Sequence, residues 1–111
     1  MTQPVTLSII IVSYNTRDLT RKCLELVERF GPQRPYEVIV VDNASKDGSP
    51  EMLKSEFPRV RLICLEKNLG FAGGNNAGIR IASGRFVLLL NSDAFIAEGV
   101  IDSTLAFMEQ N

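Results

Sequence analysis

Residues 7–13 read Leu7-Ser8-Ile9-Ile10-Ile11-Val12-Ser13, with β-branched apolar side chains in succession from Ile9 to Val12. The run lacks the alternation of a half-exposed strand. Both faces therefore need cover, which is the situation of a central strand in a parallel sheet. Working outward, the chain repeats one unit. From about Asp18 an amphipathic stretch places Leu19, Cys23, Leu26, Val27 and Phe30 on one helical face. Gly31-Pro32 ends it, with a glycine suited to a left-handed cap. Tyr36 to Val41 is a second β-rich run that stops at Asp42. Ser49-Pro50 then opens a helix, serine as cap and proline in the first turn. Met52, Leu53 and Phe57 point it toward the core before Pro58.

Val60 to Leu65 predicts a third strand. The glycine-rich segment Asn68 to Gly78 merges into a helix that carries Ile79 and Ala82 and closes at Gly84. Phe86 to Leu90 is the fourth strand, followed by Asn91-Ser92-Asp93 and by a helix over 99–110 that buries Ile101, Leu105 and Met108. Crossovers of this length demand parallel strands with right-handed connections. The expected fold is α/β: a three-layer α/β/α, Rossmann-like parallel sheet in the order 3-2-1-4, forming one domain over residues 1–111. Such sheets bind ligands beyond the carboxyl ends of the strands where the order reverses, here between strands 1 and 4.

Composition narrows the chemistry. A chain of 111 residues has room for one core, and 45% hydrophobic with 23% charged residues excludes a disordered chain. The net charge is -1 and the Lys and Arg residues are scattered, so a nucleic-acid partner is not expected. The chain has no histidine, which removes Ser-His-Asp and Cys-His activation and histidine-based zinc sites. Two cysteines cannot build a four-thiolate zinc site. Carboxylates, amides, backbone N–H groups and a hard metal ion are left. Cys23 and Cys64 lie in apolar runs and read as reduced core thiols. The N-terminus lacks the charged region of a signal peptide, and no apolar run approaches the roughly 20 residues that span a bilayer. A soluble, cytoplasmic chain is expected.

The strand ends carry the polar residues. Strand 1 ends in Val12-Ser13-Tyr14-Asn15, strand 2 in Asp42-Asn43-Ala44-Ser45 and strand 4 in Asn91-Ser92-Asp93. Singly these are ordinary loop and cap residues. Together they deliver a tyrosine, amides and two acids to one edge of the sheet. The segment from Gly70 to Gly78 permits close approach of backbone N–H groups to a phosphate, or of a helix to a sheet. It matches neither the G-x-G-x-x-G fingerprint nor a Walker A loop.

In their order, SIIIVSYN, VIVVDNASKDGS, KNLGFAGGNNAGI and FVLLLNSDA resemble the nucleotide-binding half of a family 2 glycosyltransferase, an inverting enzyme of GT-A type. The likeness is to members with an Asn-x-Asp acid motif that act on rhamnose or similar sugars of bacterial surface polysaccharides. It implies a UDP- or dTDP-sugar donor with Mg2+ or Mn2+ on its diphosphate. By that resemblance Tyr14 lies against the base, Asp42 on the ribose side, and Val12, Ser13, Gly70, Asn76, Asn91 and Ser92 around the nucleotide. Asn43 stands where the family's second aspartate accepts the base N–H, and Asp93 is the metal ligand. Arg80 or Lys67 would replace the arginine that many members carry near Asn75.

The family's catalytic base and acceptor pocket lie further along. The resemblance thus implies a truncated, donor-binding half with its catalytic residue beyond Asn111, working in the cytoplasm or at the cytoplasmic face of the membrane. Strand 4 would be an edge open to self-association. Glu98, Asp102 and Glu109 then read as helix-start and solvent-face charges. Two other readings stay open: a nucleotide-binding regulatory module without transfer chemistry, and a response-regulator-like domain. The second would need an acid pair after strand 1 and a lysine after a late strand.

Overall fold

The computed structural model describes residues 4–110, so both ends of the 1–111 range lie outside the described residues. The strands β1 (Leu7–Ser13), β2 (Tyr36–Asp42), β3 (Arg61–Cys64) and β4 (Phe86–Asn91) alternate with α1 (Arg17–Phe30), α2 (Ser49–Glu56), α3 (Gly70–Ile81) and α4 (Val100–Gln110). All pairings are parallel, in the order β3-β2-β1-β4 that the sequence predicts. The register sets Ser13 beside Asp42 and Val12 beside Asn91, so the polar ends of three strands share one edge.

Every residue of β1 is buried. Its odd-numbered side chains, Leu7, Ile9 and Ile11, join Cys23, Leu24, Val27, Leu53, Ile101 and Leu105 under α1, α2 and α4. Its Ile10 and Val12 join Ile39 and Val41 under α3. Ile9, Ile10 and Ile11 are fully excluded from water, each worth about 1.5–3 kcal/mol of transfer free energy. On the second face only α3 packs, over β1 and β2. Val87 and Leu89 of β4 consequently stay exposed.

The glycine-rich segment is the first part of α3 rather than a loop leading into it. A Cβ at Gly78 would lie 2.6 Å from Ile10 Cγ2, and one at Gly74 2.7 Å from Val12 Cγ1. The helix backbone rests directly on the sheet. That packing offsets a helix-propensity cost of about 1 kcal/mol per glycine.

Several expectations are corrected. The buried stripe of α1 is Thr20, Cys23, Leu24 and Val27, and Leu19 faces solvent. Gly31 is extended (φ -65°, ψ 171°), not left-handed; its lack of a side chain matters because a Cβ would come 2.5 Å from the Val27 carbonyl. Gly48, at φ 87°, is the cap of α2, and Ser49 is already inside the helix. Met108 is exposed. Cys64 is exposed on the β3 edge, whereas Cys23 is buried and its thiol pushed up to about 11 by burial and by the nearby Asp93 charge. Asp102 accepts the Gln33 N–H and Glu109 pairs with Arg34, so these acids tie α4 to the α1–β2 connection. No helix among the described residues is long and apolar enough to cross a membrane.

At the opposite edge from the polar strand ends, Glu37 collects four donors. Its carboxylate accepts Ser8 Oγ (2.6 Å), Ser83 N (2.7 Å), Ser83 Oγ (2.9 Å) and Arg61 Nη1 (3.0 Å). Partial burial opposes the charge, but the hydrogen bonds outweigh it and hold the carboxyl down at about 2. An unfolded glutamate titrates near 4.3, so this contribution is complete above that pH and is lost as pH falls toward 2. Glu37→Gln is expected to destabilise the fold at pH 7 by on the order of 3 kcal/mol. Urea denaturation across pH 2–7 should also show wild type losing more stability than the variant on acidification.

Candidate functional site

The loops after β1 and β2 are laced together. Asn15 N donates to Ser45 Oγ and Lys46 N to Asn15 Oδ1, each at 2.8 Å. Arg17 N donates to Asp47 Oδ2 at 2.9 Å, which satisfies the first amide of α1. Burial of Asp47 opposes its charge, yet the bonds from Ser49 and Arg17 outweigh that and hold the carboxyl below the usual range. Asn15 takes a left-handed φ of 50° to make these contacts, a conformation asparagine tolerates.

The N-terminus of α3 is pinned to the end of β2 by one amide. Asn43 Oδ1 accepts Leu69 N and Nδ2 donates to Gly70 O, both at 3.0 Å. Asn68 Oδ1 accepts Gly70 N at 2.8 Å. Gly70 sits at φ 76°, a turn that brings the positive end of the α3 dipole to the sheet edge.

Between these pieces lies an open depression of about 280 Å³ lined by Val12, Tyr14, Thr16, Asn43, Asn68, Gly70, Phe71 and Ser92. It straddles the end of β1, where the strand order reverses. Tyr14 and Phe71 are half-exposed aromatics in its walls, at 49% and 57%. Of the residues that the sequence suggests, Val12, Tyr14, Asn43, Gly70 and Ser92 meet here. Ser13 and Asp42 are buried behind it. Asp42 Oδ2 accepts Ser45 N at 2.8 Å, and its Oδ1 is buried without a partner. Asn91 and Asp93 flank it, exposed, in a turn closed by Ala94 N on Asn91 O at 2.9 Å.

Asn76 stands off, exposed on α3 about 9 Å along the axis from Gly70. Arg80 is in the last turn, about 15 Å from the helix start, so Lys67 is the nearer cation to this edge in sequence and fold. Thr16, Asn68 and Phe71 escaped the sequence reading. Phe71 carried a usable signal, an aromatic inside a run of glycines. Among the described residues no group of three or more Cys, Asp or Glu is arranged to cage a metal. Asp93 with the amide and hydroxyl beside it suits instead a hard cation that brings most of its oxygen ligands from phosphate and water.

The family model for glycosyl transferase family 2 matches residues 8–111. The chain belongs to glycosyl transferase family 2. A poly(ribitol-phosphate) beta-glucosyltransferase of Bacillus spizizenii is 34% identical over 110 residues, covering 95% of this chain and 17% of the relative. The crystal structure of S. aureus TarS in complex with UDP-GlcNAc superposes with a TM-score of 0.84 at 25% identity, over 96% of this chain and 32% of that one. A mannosyltransferase from Pyrobaculum calidifontis, in complex with GDP-Man and Mn2+, gives 0.77 at 26% identity over 94% and 31%. This family 2 chain thus spans about a third or less of the lengths of these proteins. Its GT-A fold is shared with both solved neighbours.

The Asn43 clamp has a measurable consequence. Asn43→Ala removes the acceptor of the Leu69 N–H and the donor to the Gly70 carbonyl, and is expected to cost about 1–3 kcal/mol in urea denaturation. Hydrogen exchange should quicken at Leu69 and Gly70 more than at the β1 amides.

Proposed function

We propose that this chain is the donor-binding half of a GT-A glycosyltransferase, holding a nucleoside diphosphate sugar in the depression at the ends of β1, β2 and β4. The observation that carries the reading is the meeting there of Tyr14, Asn43, the start of α3 and Ser92, with Asp93 alongside. Tyr14 offers a flat face for a base. Asn43 Oδ1 keeps a lone pair after binding Leu69, and Asp42 Oδ1 is an unsatisfied acceptor behind it. Dipole and N–H groups at the start of α3 favour an anion.

Asp93 would hold Mg2+ or Mn2+. When bound, that ion neutralises charge on the departing diphosphate. The Mn2+ complex of the mannosyltransferase supports a metal at such a site. UDP-GlcNAc in TarS supports a uridine donor over a thymidine one, and the glucosyltransferase relative favours hexosyl over rhamnosyl transfer. The same relative supports a parent enzyme of bacterial cell-surface polymer synthesis, acting where nucleotide sugars are made, in the cytoplasm or at the membrane's inner face.

Two outcomes are expected of the 111 residues alone. UDP should bind weakly and only with Mg2+ or Mn2+, with no sugar transfer, because a general base is worth roughly 10²–10⁴-fold in rate and no carboxylate is among the described residues lining the depression. Calorimetry on wild type and Asp93→Ala tests this; metal-independent binding that survives the substitution removes Asp93 from the site. Secondly, β4 pairs only with β1 among the described residues and shows Val87 and Leu89 to solvent, so a second copy should pair along it. Light scattering is expected to show concentration-dependent association, reduced by Leu89→Lys.

A further inference from the structure

Thr16 is the N-cap residue of α1, yet its hydroxyl makes no cap hydrogen bond. Asp47 does that work from the neighbouring loop by accepting Arg17 N. The Thr16 hydroxyl is free for another use. It lies 3.3 Å from Ser13 Oγ and 3.1 Å from Thr20 Oγ1, which are themselves 3.0 Å apart, and it donates to Ser92 Oγ at 3.2 Å. Ser13 and Thr20 are fully buried, whereas Thr16 and Ser92 line the depression.

Proton bookkeeping gives this cluster a direction. Each hydroxyl owns one hydrogen. Thr16 spends its hydrogen on Ser92, so it can only accept from Ser13 or Thr20. Ser92, receiving from Thr16, has its own hydrogen left over, and none of the described residues accepts it. Donor chains of this kind polarise their last member. We propose that Thr16 is a positioning residue that turns the Ser92 hydroxyl into a one-way donor for an anionic oxygen of the ligand's diphosphate. The assignment to the diphosphate follows from the turn that Ser92 shares with Asp93, and it rests on the donor-site reading above. Cys23 steadies the same turn from below, its Sγ 3.8 Å from the Asn91 carbonyl.

The test uses Thr16→Val, Thr16→Ser and Ser92→Ala with two readouts. In calorimetry with Mn2+, Thr16→Val and Ser92→Ala should each weaken UDP binding by roughly 3- to 10-fold, the range of one hydrogen bond, and the double variant should be no worse than Ser92→Ala alone. Thr16→Ser keeps the hydroxyl and should bind as wild type. Uridine, titrated by NMR, should be unaffected in all of them. Equal losses for UDP and uridine, or an unchanged UDP affinity in Thr16→Val, overturn the proposal while leaving the donor site standing. Without nucleotide, a double-mutant cycle in urea denaturation reads the Thr16–Ser92 contact itself, and zero coupling also overturns it. A wild type that binds no UDP in spite of that coupling instead sinks the donor-site reading, and with it the ligand assigned to Ser92.

Discussion

β1 has no face in water, and the rest of the molecule is arranged around that constraint. Ile9 and Ile11 need α1, α2 and α4 on one side; Ile10 and Val12 need α3 on the other. Covering the second side with a single helix requires close approach, and glycines at positions 74 and 78 permit it. The two serines of β1 are buried as well, and a buried hydroxyl without a partner is costly. Ser8, at one end, donates to Glu37 and accepts Gly84 N, joining β1, β2 and the α3–β4 connection. Ser13, at the other end, finds Thr16 and Thr20. The Glu37 latch and the hydroxyl cluster of the site are thus two solutions to one desolvation problem.

The loops of the polar edge are tied to each other by hydrogen bonds. Asn15, Ser45 and Asp47 exchange hydrogen bonds with backbone N–H groups across the gap between β1 and β2. Ala44 is held at φ 64°, which costs roughly 1–2 kcal/mol for a residue with a Cβ. Strain of that size persists only where neighbours over-determine the backbone. Here it turns the chain so that Ser45 reaches both Asn15 and Asp42.

Most of the fold was legible because it follows from periodicity and crossover length, which a sequence displays directly. Strand order, layer count and the placing of polar strand ends at one edge all come from those two features. The errors fell where packing overrides local preference. Gly70 to Gly78 reads as a loop lead because glycine is a poor helix former, and only the distance to Ile10 and Val12 explains why it is helical. Leu19 looked like core because it begins the apolar stripe, but the face is centred on Thr20 and Leu24. Site residues were legible as types and less so as roles. Asp42 and Asn43 look like a pair in sequence, yet Asp42 turns to Ser45 while Asn43 reaches across to Leu69 and Gly70. Thr16 gave no signal at all, since its value lies in a cap bond it does not make.

Asp93 shows why the parts of this edge depend on one another. A lone exposed carboxylate in water holds a divalent ion poorly, and no group of three or more acids or thiols among the described residues is arranged around one. In the proposed donor site its usefulness would come from being fixed in place relative to the diphosphate that shares the ion. Two buried residues of α1, Thr20 and Cys23, lie under that turn, one through Thr16 and Ser92 and the other through the Asn91 carbonyl. With its thiol pushed up to about 11, Cys23 stays neutral at physiological pH and adds no charge beneath the acid. The turn that carries the carboxylate therefore rests on the same helix face that buries β1.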